Sequence, residues 1–138
     1  MQYKFTEKDM VIEYCKVLED KNVSFAVEVP FYHRSIDLVY SDNNGYLVAI
    51  EFKLSDWKKA IAQVDDLMSG VDYGYVCLPK ERYTEIIEKE MRKAGCGLIL
   101  FDIHSKDVEI VIESSKNPMV WAGACNLLKK GFEYSLEN

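Results

Sequence analysis

Apolar residues near the N-terminus recur at helical spacing, and the chain then switches to a strand period. Met10, Val11, Tyr14, Cys15 and Leu18 fall three or four apart, which predicts an amphipathic helix over residues 7–21. Thr6 stands before Glu7-Lys8-Asp9 as its N-cap, with acidic residues in the first turn, where the helix dipole favours them. Asn22 stops it. Over residues 23–29 the period becomes two, with Val23, Phe25, Val27 and Val29 on one face, and Pro30 ends this strand or marks an edge. A second strand covers residues 35–40, and Asp42-Asn43-Asn44-Gly45 is a strong turn signal. The third strand, residues 46–54, is apolar on both faces until Glu51, as strands in the middle of a sheet are.

Ser55 is expected to cap a helix running to Met68, with Gly70 closing it. Residues 73–78 read as a fourth strand stopped by Pro79, residues 80–94 as a helix, and residues 97–102 as a fifth strand. Residues 108–113 read as a sixth strand in hairpin with the fifth, and Asn117-Pro118 opens a C-terminal helical segment. The order α-β-β-β-α-β-α-β-β-α places a three-strand meander before a β-α-β crossover. The expected class is therefore α/β, a mixed sheet flanked by helices.

A chain of 138 residues with 49% hydrophobic and 29% charged residues suits one domain over residues 1–138. No apolar run is long enough to span a bilayer, and the first residues lack a signal-peptide pattern, so a soluble cytoplasmic protein without a membrane partner is expected. Cys15, Cys77, Cys96 and Cys125 form no CxxC pair, and His33 and His104 are the only histidines, which argues against structural zinc and a disulfide framework. Buried free thiols are the expectation. A net charge of −6 argues against a protein that coats nucleic acid without specificity, but it leaves room for a local basic surface. Arg34, Lys58 and Lys59 are the candidate nucleic-acid contacts, with His33 and Lys53 close by in sequence.

The sharpest chemistry lies at Asp37, Glu51 and Lys53. Glu51 and Lys53 are two apart on a strand and share a face, and in a hairpin Asp37 can lie across from them. Two carboxylates that close repel unless they share a cation or a proton. Mg²⁺, with Mn²⁺ as a substitute, takes hard oxygen ligands, and the Phe52 backbone carbonyl between the two site residues offers a third. Such an ion polarises a phosphoryl oxygen and neutralises charge, while Lys53 orients the attacking water or stabilises the phosphoryl charge. The plainer alternative is a surface hairpin carrying a charge pair.

Ile36-Asp37, Glu51-Phe52-Lys53, Ser55-Asp56-Trp57 and Ala60-Ile61-Ala62-Gln63 together resemble the pattern of the PD-(D/E)xK nuclease superfamily, also called restriction-endonuclease-like. The resemblance runs from Val27 to Asp102. It implies a restriction-endonuclease-like mixed sheet with an αβββαβ core, to which this chain adds a C-terminal β-hairpin and helix. It further implies Asp37 and Glu51 as metal ligands, Lys53 as the catalytic lysine and Gln63 near the site on the next helix. In the compact Holliday-junction-resolvase-like branch an acidic residue of the first helix completes the site, and Glu13 is favoured over Glu7 for that role. Glu28 is a weaker candidate. Ile36 stands where the pattern's proline would be. A compact chain with this pattern is expected to be a Mg²⁺-dependent endonuclease reading DNA structure, branched or duplex, in repair, recombination or mobile-element biology, and to form a homodimer. The alternative is a non-catalytic nucleic-acid- or protein-binding module on the same fold. RNA as substrate is less favoured, because no aromatic RNA-binding signature is present.

Overall fold

The computed structural model describes residues 4–118 and 120–137. Its centre is a six-stranded sheet in sequence order: β1 (Phe25–Phe31), β2 (Arg34–Ser41), β3 (Leu47–Phe52), β4 (Tyr73–Pro79), β5 (Gly97–Phe101) and β6 (Val108–Ile112). β1, β2 and β3 form the antiparallel meander, β3–β4 and β4–β5 are parallel, and β6 returns antiparallel. The parallel steps need crossovers, and α2 (Trp57–Leu67) and α3 (Glu85–Ala94) supply them. α1 (Glu7–Asp20) precedes the sheet and α4 (Ala122–Glu137) follows it.

Two apolar layers follow from the strand alternation. Leu38, Val48, Ile50, Phe52, Cys77 and Ile99 face α1 and meet its buried stripe Met10, Tyr14 and Leu18. On the other face α2, α3 and α4 cover the sheet, through Leu67, Ala124, Leu128 and Phe132 at one end and Ala60, Val64, Ile87 and Met91 at the other. Thr6 caps α1 as expected, in a capping box with Asp9.

Several expectations are corrected. Asp56, not Ser55, caps α2: its carboxylate accepts the Lys59 N–H at 3.2 Å. The helix expected over residues 80–94 divides into a 3-10 turn, Lys80–Arg82, and α3, because Thr84 turns extended and caps α3 through the Ile87 N–H. Asn117-Pro118 does not open the last helix. Asn117 is pinned by its side-chain amide to the Met68 and Val71 carbonyls, and the chain enters α4 only at Ala122. Of the two readings of Pro30, the edge holds: it lies inside β1, an edge strand, which tolerates its missing N–H.

The alternation expected of β1 fails at one residue. Glu28 takes a left-handed φ of 50°, so Val29 turns to the α4 side with Ala26 and Phe31, while Val27 is left 43% exposed. α4 then lies close on β1, and Gly131 has no side chain because the Pro30 carbonyl occupies that space. Gly131→Ala is expected to destabilise the protein by about 1–3 kcal/mol in urea unfolding, because backbone must move to admit the methyl. Wild-type stability would contradict this packing.

Candidate active site

The site arises where two strands part. β2 and β3 pair from Ser41↔Leu47 to Leu38↔Ile50, and the ladder goes no further. The Lys53 N–H donates to the Cys77 carbonyl of β4 at 3.1 Å, so strand alternation points the Phe52 N–H and C=O the other way, toward β2. With no backbone acceptor there, the Phe52 N–H donates to Asp37 Oδ2 at 2.9 Å. A carboxylate thus replaces a missing rung of the sheet, and the Phe52 carbonyl opens toward the same gap. Tyr14 of α1 holds the Phe52 ring from below in an edge contact, 5.7 Å between centroids.

Glu51 is across the gap and only 2% exposed. Burial pushes its carboxyl up, to about 8, and the charge of Asp37 and a hydrogen bond with the Asp37 carboxyl push the same way. The Asp37 N–H and the charge of Arg34 oppose the shift. Without a cation the pair therefore holds a proton at neutral pH.

The other expected residues are placed as follows. Lys53 sits half-buried just past the end of β3, on the face that alternation gives Glu51. Gln63 lies on α2 with its Oε1 buried and without a hydrogen-bond partner among the described residues. Arg34 at the start of β2 pairs with Asp66 of α2, Nη1 to Oδ2 2.9 Å, one helical turn from Gln63. Lys58 and Lys59 are exposed in the first turn of α2, and Lys58 lies over the Trp57 ring at 5.6 Å.

Glu13 is not brought to this site. It pairs with Lys16 at 3.1 Å on its own helix. Glu7, the second choice for that role, lies beside the site: its Oε2 accepts the Leu54 N–H at 3.2 Å, next to Lys53, and it lines one cleft with Asp37 and Glu28. Sequence spacing ranked the two glutamates by helix face. The deciding contact is 47 residues away along the chain, although the position of Glu7 in the first turn of α1 was a usable signal. Among the described residues no three His, Cys, Asp or Glu side chains are grouped to hold a metal ion. The donor set that fits a hard cation is Asp37, Glu51 and the Phe52 carbonyl, with waters completing it.

This sheet and its helices match solved structures. A protein of unknown function from Silicibacter pomeroyi, SPO1766, superposes with TM-score 0.71 at 18% identity, covering 96% of this chain and 87% of that one. A repair endonuclease from Pyrococcus abyssi superposes with TM-score 0.50 at 18% identity, over 74% of this chain and 49% of that one. EndoMS in complex with double-stranded DNA gives TM-score 0.50 at 13% identity, over 74% and 47%. The fold is restriction-endonuclease-like. The chain spans about half the length of either endonuclease. No protein-family model matches the chain, and no curated protein sequence matches it. Among the described residues, no helix is long and apolar enough to cross a membrane.

The raised Glu51 carboxyl makes metal-free stability depend on pH. Below the ordinary carboxylate range both folded and unfolded chains carry the proton. Between that range and about 8 only the folded chain does, so stability is lost as pH rises, by at most about 1.4 kcal/mol per pH unit. Urea unfolding in EDTA at pH 5, 6, 7 and 8 should show this fall for wild type and lose it in Glu51→Gln. Parallel profiles for the two proteins would contradict the buried-carboxyl assignment.

Proposed function

We propose that the protein is a metal-dependent endonuclease of the PD-(D/E)xK type that hydrolyses DNA phosphodiester bonds. The observation that carries this reading is the Asp37–Glu51 pair, two carboxyls in hydrogen-bond contact at the splayed end of β2 and β3. Keeping one of them buried is costly, and a divalent cation would relieve that cost. DNA as the substrate is supported by the shared fold with a repair endonuclease and with EndoMS, the latter solved on double-stranded DNA.

In this reading Asp37, Glu51 and the Phe52 carbonyl hold Mg²⁺ or Mn²⁺. The cation, when bound, supplies Lewis-acid polarisation of the phosphoryl oxygen and neutralises developing charge. Lys53, on the same face as Glu51, orients the attacking water and offsets charge on the phosphoryl group. Glu7, fixed by the Leu54 N–H, takes the part of the helix-borne carboxylate beside Asp37. Gln63 brings an unpaired buried amide oxygen as a positioning group. Arg34 acts through Asp66 and Glu51 rather than as a free phosphate contact, and of the three candidate contacts Lys58 and Lys59 remain exposed to the DNA backbone. A structure-directed role in repair or recombination, and a homodimer reaching two strands, belong to the same proposal.

Labelled duplex, single-stranded, flap and four-way-junction DNAs incubated with Mg²⁺ or Mn²⁺ test it. Wild type should cut at least one of them, EDTA should abolish cutting, and Lys53→Ala should lower the rate by about 100-fold or more. Folded wild type that leaves every substrate intact, but binds DNA without metal and regardless of Asp37→Ala, would favour the non-catalytic module.

A further inference from the structure

The left-handed Glu28 has an effect beyond packing. Because the strand turns there, Val27 and Glu28 both face outward, and they line a cleft between β1 and α1. The cleft has a volume of about 560 Å³, within the range of small-molecule and nucleotide sites. Val11 and Ile12 from the helix and Phe25 and Val27 from the strand form its apolar wall, and most of the remaining lining is charged. Ile12 and Val27 are 47% and 43% exposed, so two large apolar side chains stand uncovered around one hollow.

One wall of this cleft is Asp37, so the hollow is continuous with the candidate active site. Four carboxylates and two lysines line it; Glu7 and Asp37 belong to the candidate active site, and the remaining charged groups are of two kinds. Glu19 and Glu28 offer acceptors only, which match the amine and imino N–H donors on a nucleobase edge. Lys8 and Lys16 on α1 offer cations to neighbouring phosphates, Lys16 now shared with Glu13. In a duplex the bases are stacked and paired and cannot enter such a cleft; a base must first leave the stack.

We propose that the α1–β1 cleft holds an unpaired nucleobase of DNA next to the bond that is cut, and favours bases bearing an exocyclic amine. This rests on the endonuclease reading and names its substrate: DNA with an extrahelical or single-stranded nucleotide at the cleavage position. The left-handed Glu28 is then the device that opens the pocket, a strained residue retained beside a functional site.

Binding and cutting are measured separately so that the two claims can fail separately. In the Lys53→Ala protein, a duplex with a one-nucleotide 2-aminopurine bulge is compared with the fully paired duplex, by fluorescence and by affinity. The bulged duplex should bind about tenfold tighter or more, with a change in 2-aminopurine emission. Val27→Trp, which fills the cleft, and Ile12→Asp, which charges it, should each remove that preference; both positions are exposed, so folding should survive. Equal preference in all three proteins, or no preference in any, overturns the inference. A sedimentation change caused by Val27→Trp would assign the cleft to a second copy of the chain and would also overturn it. On the cutting arm, a wild type that cuts bulged DNA no faster than either cleft variant leaves the nuclease reading standing without this pocket. A wild type that shows the binding preference but cuts nothing keeps the pocket and removes the nuclease.

Discussion

A carboxyl group sits in the apolar heart of a sheet, 2% exposed, with a second carboxyl bonded to it. Glu51 follows four buried strand residues, Leu47 to Ile50, and shares their environment. Desolvation alone makes an ionised Glu51 unfavourable, and the Asp37 charge adds to that. A proton on Glu51 relieves that cost, and a cation held by the two carboxyls would relieve it as well. The surrounding structure keeps the pair together. The β2–β3 ladder stops at Leu38↔Ile50, Asp37 takes over the Phe52 N–H, and the Phe52 carbonyl is left pointing into the gap. A one-residue change of register would move Glu51 to the α1 face and dissolve the pair.

Helices on both faces then serve the gap. α1 supports Phe52 through Tyr14 and brings Glu7 to the Leu54 N–H. α2, capped by Asp56 immediately after the site, carries Gln63 and the Asp66 that holds Arg34. The edge strand β1 has the most irregular backbone near the site. Glu28 lies between the Val27↔Leu38 and Val29↔Ile36 pairs, and its positive φ turns Val27 and Val29 to different faces. An edge strand can absorb this, because a kink there disturbs one neighbour and not two.

The pattern of the chain made the class and the central pair legible. A glutamate closing an apolar run and an aspartate on the preceding strand stand out because burial normally excludes them. The mixed sheet, with its meander, crossover and closing hairpin, followed from the element order. What stayed hidden depends on contacts distant in sequence or on backbone freedom. Glu13 and Glu7 lie about 120° apart around the helix; the face beside the apolar stripe favoured Glu13, whereas the docking of α1 on Leu54 brings Glu7 to the site. Asp66 gives no sign of pairing with Arg34, 32 residues earlier. Nothing about a glutamate signals a left-handed φ, so Val27 and Val29 read as one face although the structure puts them on two. Ser55 and Asp56 are both good caps, and the geometry after the strand chose the second. Asn117-Pro118 looked like a helix start because the buried amide contacts that hold Asn117 bring together segments about 50 residues apart.

The property that decides the chemistry of this protein is whether the Asp37–Glu51 pair exchanges its proton for a cation. Isothermal titration calorimetry of Mn²⁺ into wild type and Asp37→Asn at pH 7, in two buffers of different ionisation enthalpy, measures this directly. Wild type should bind the ion and release close to one proton, because Glu51 carries one below about 8, and Asp37→Asn should bind much more weakly. Absent binding, or binding to both proteins alike with no proton released, would contradict the account.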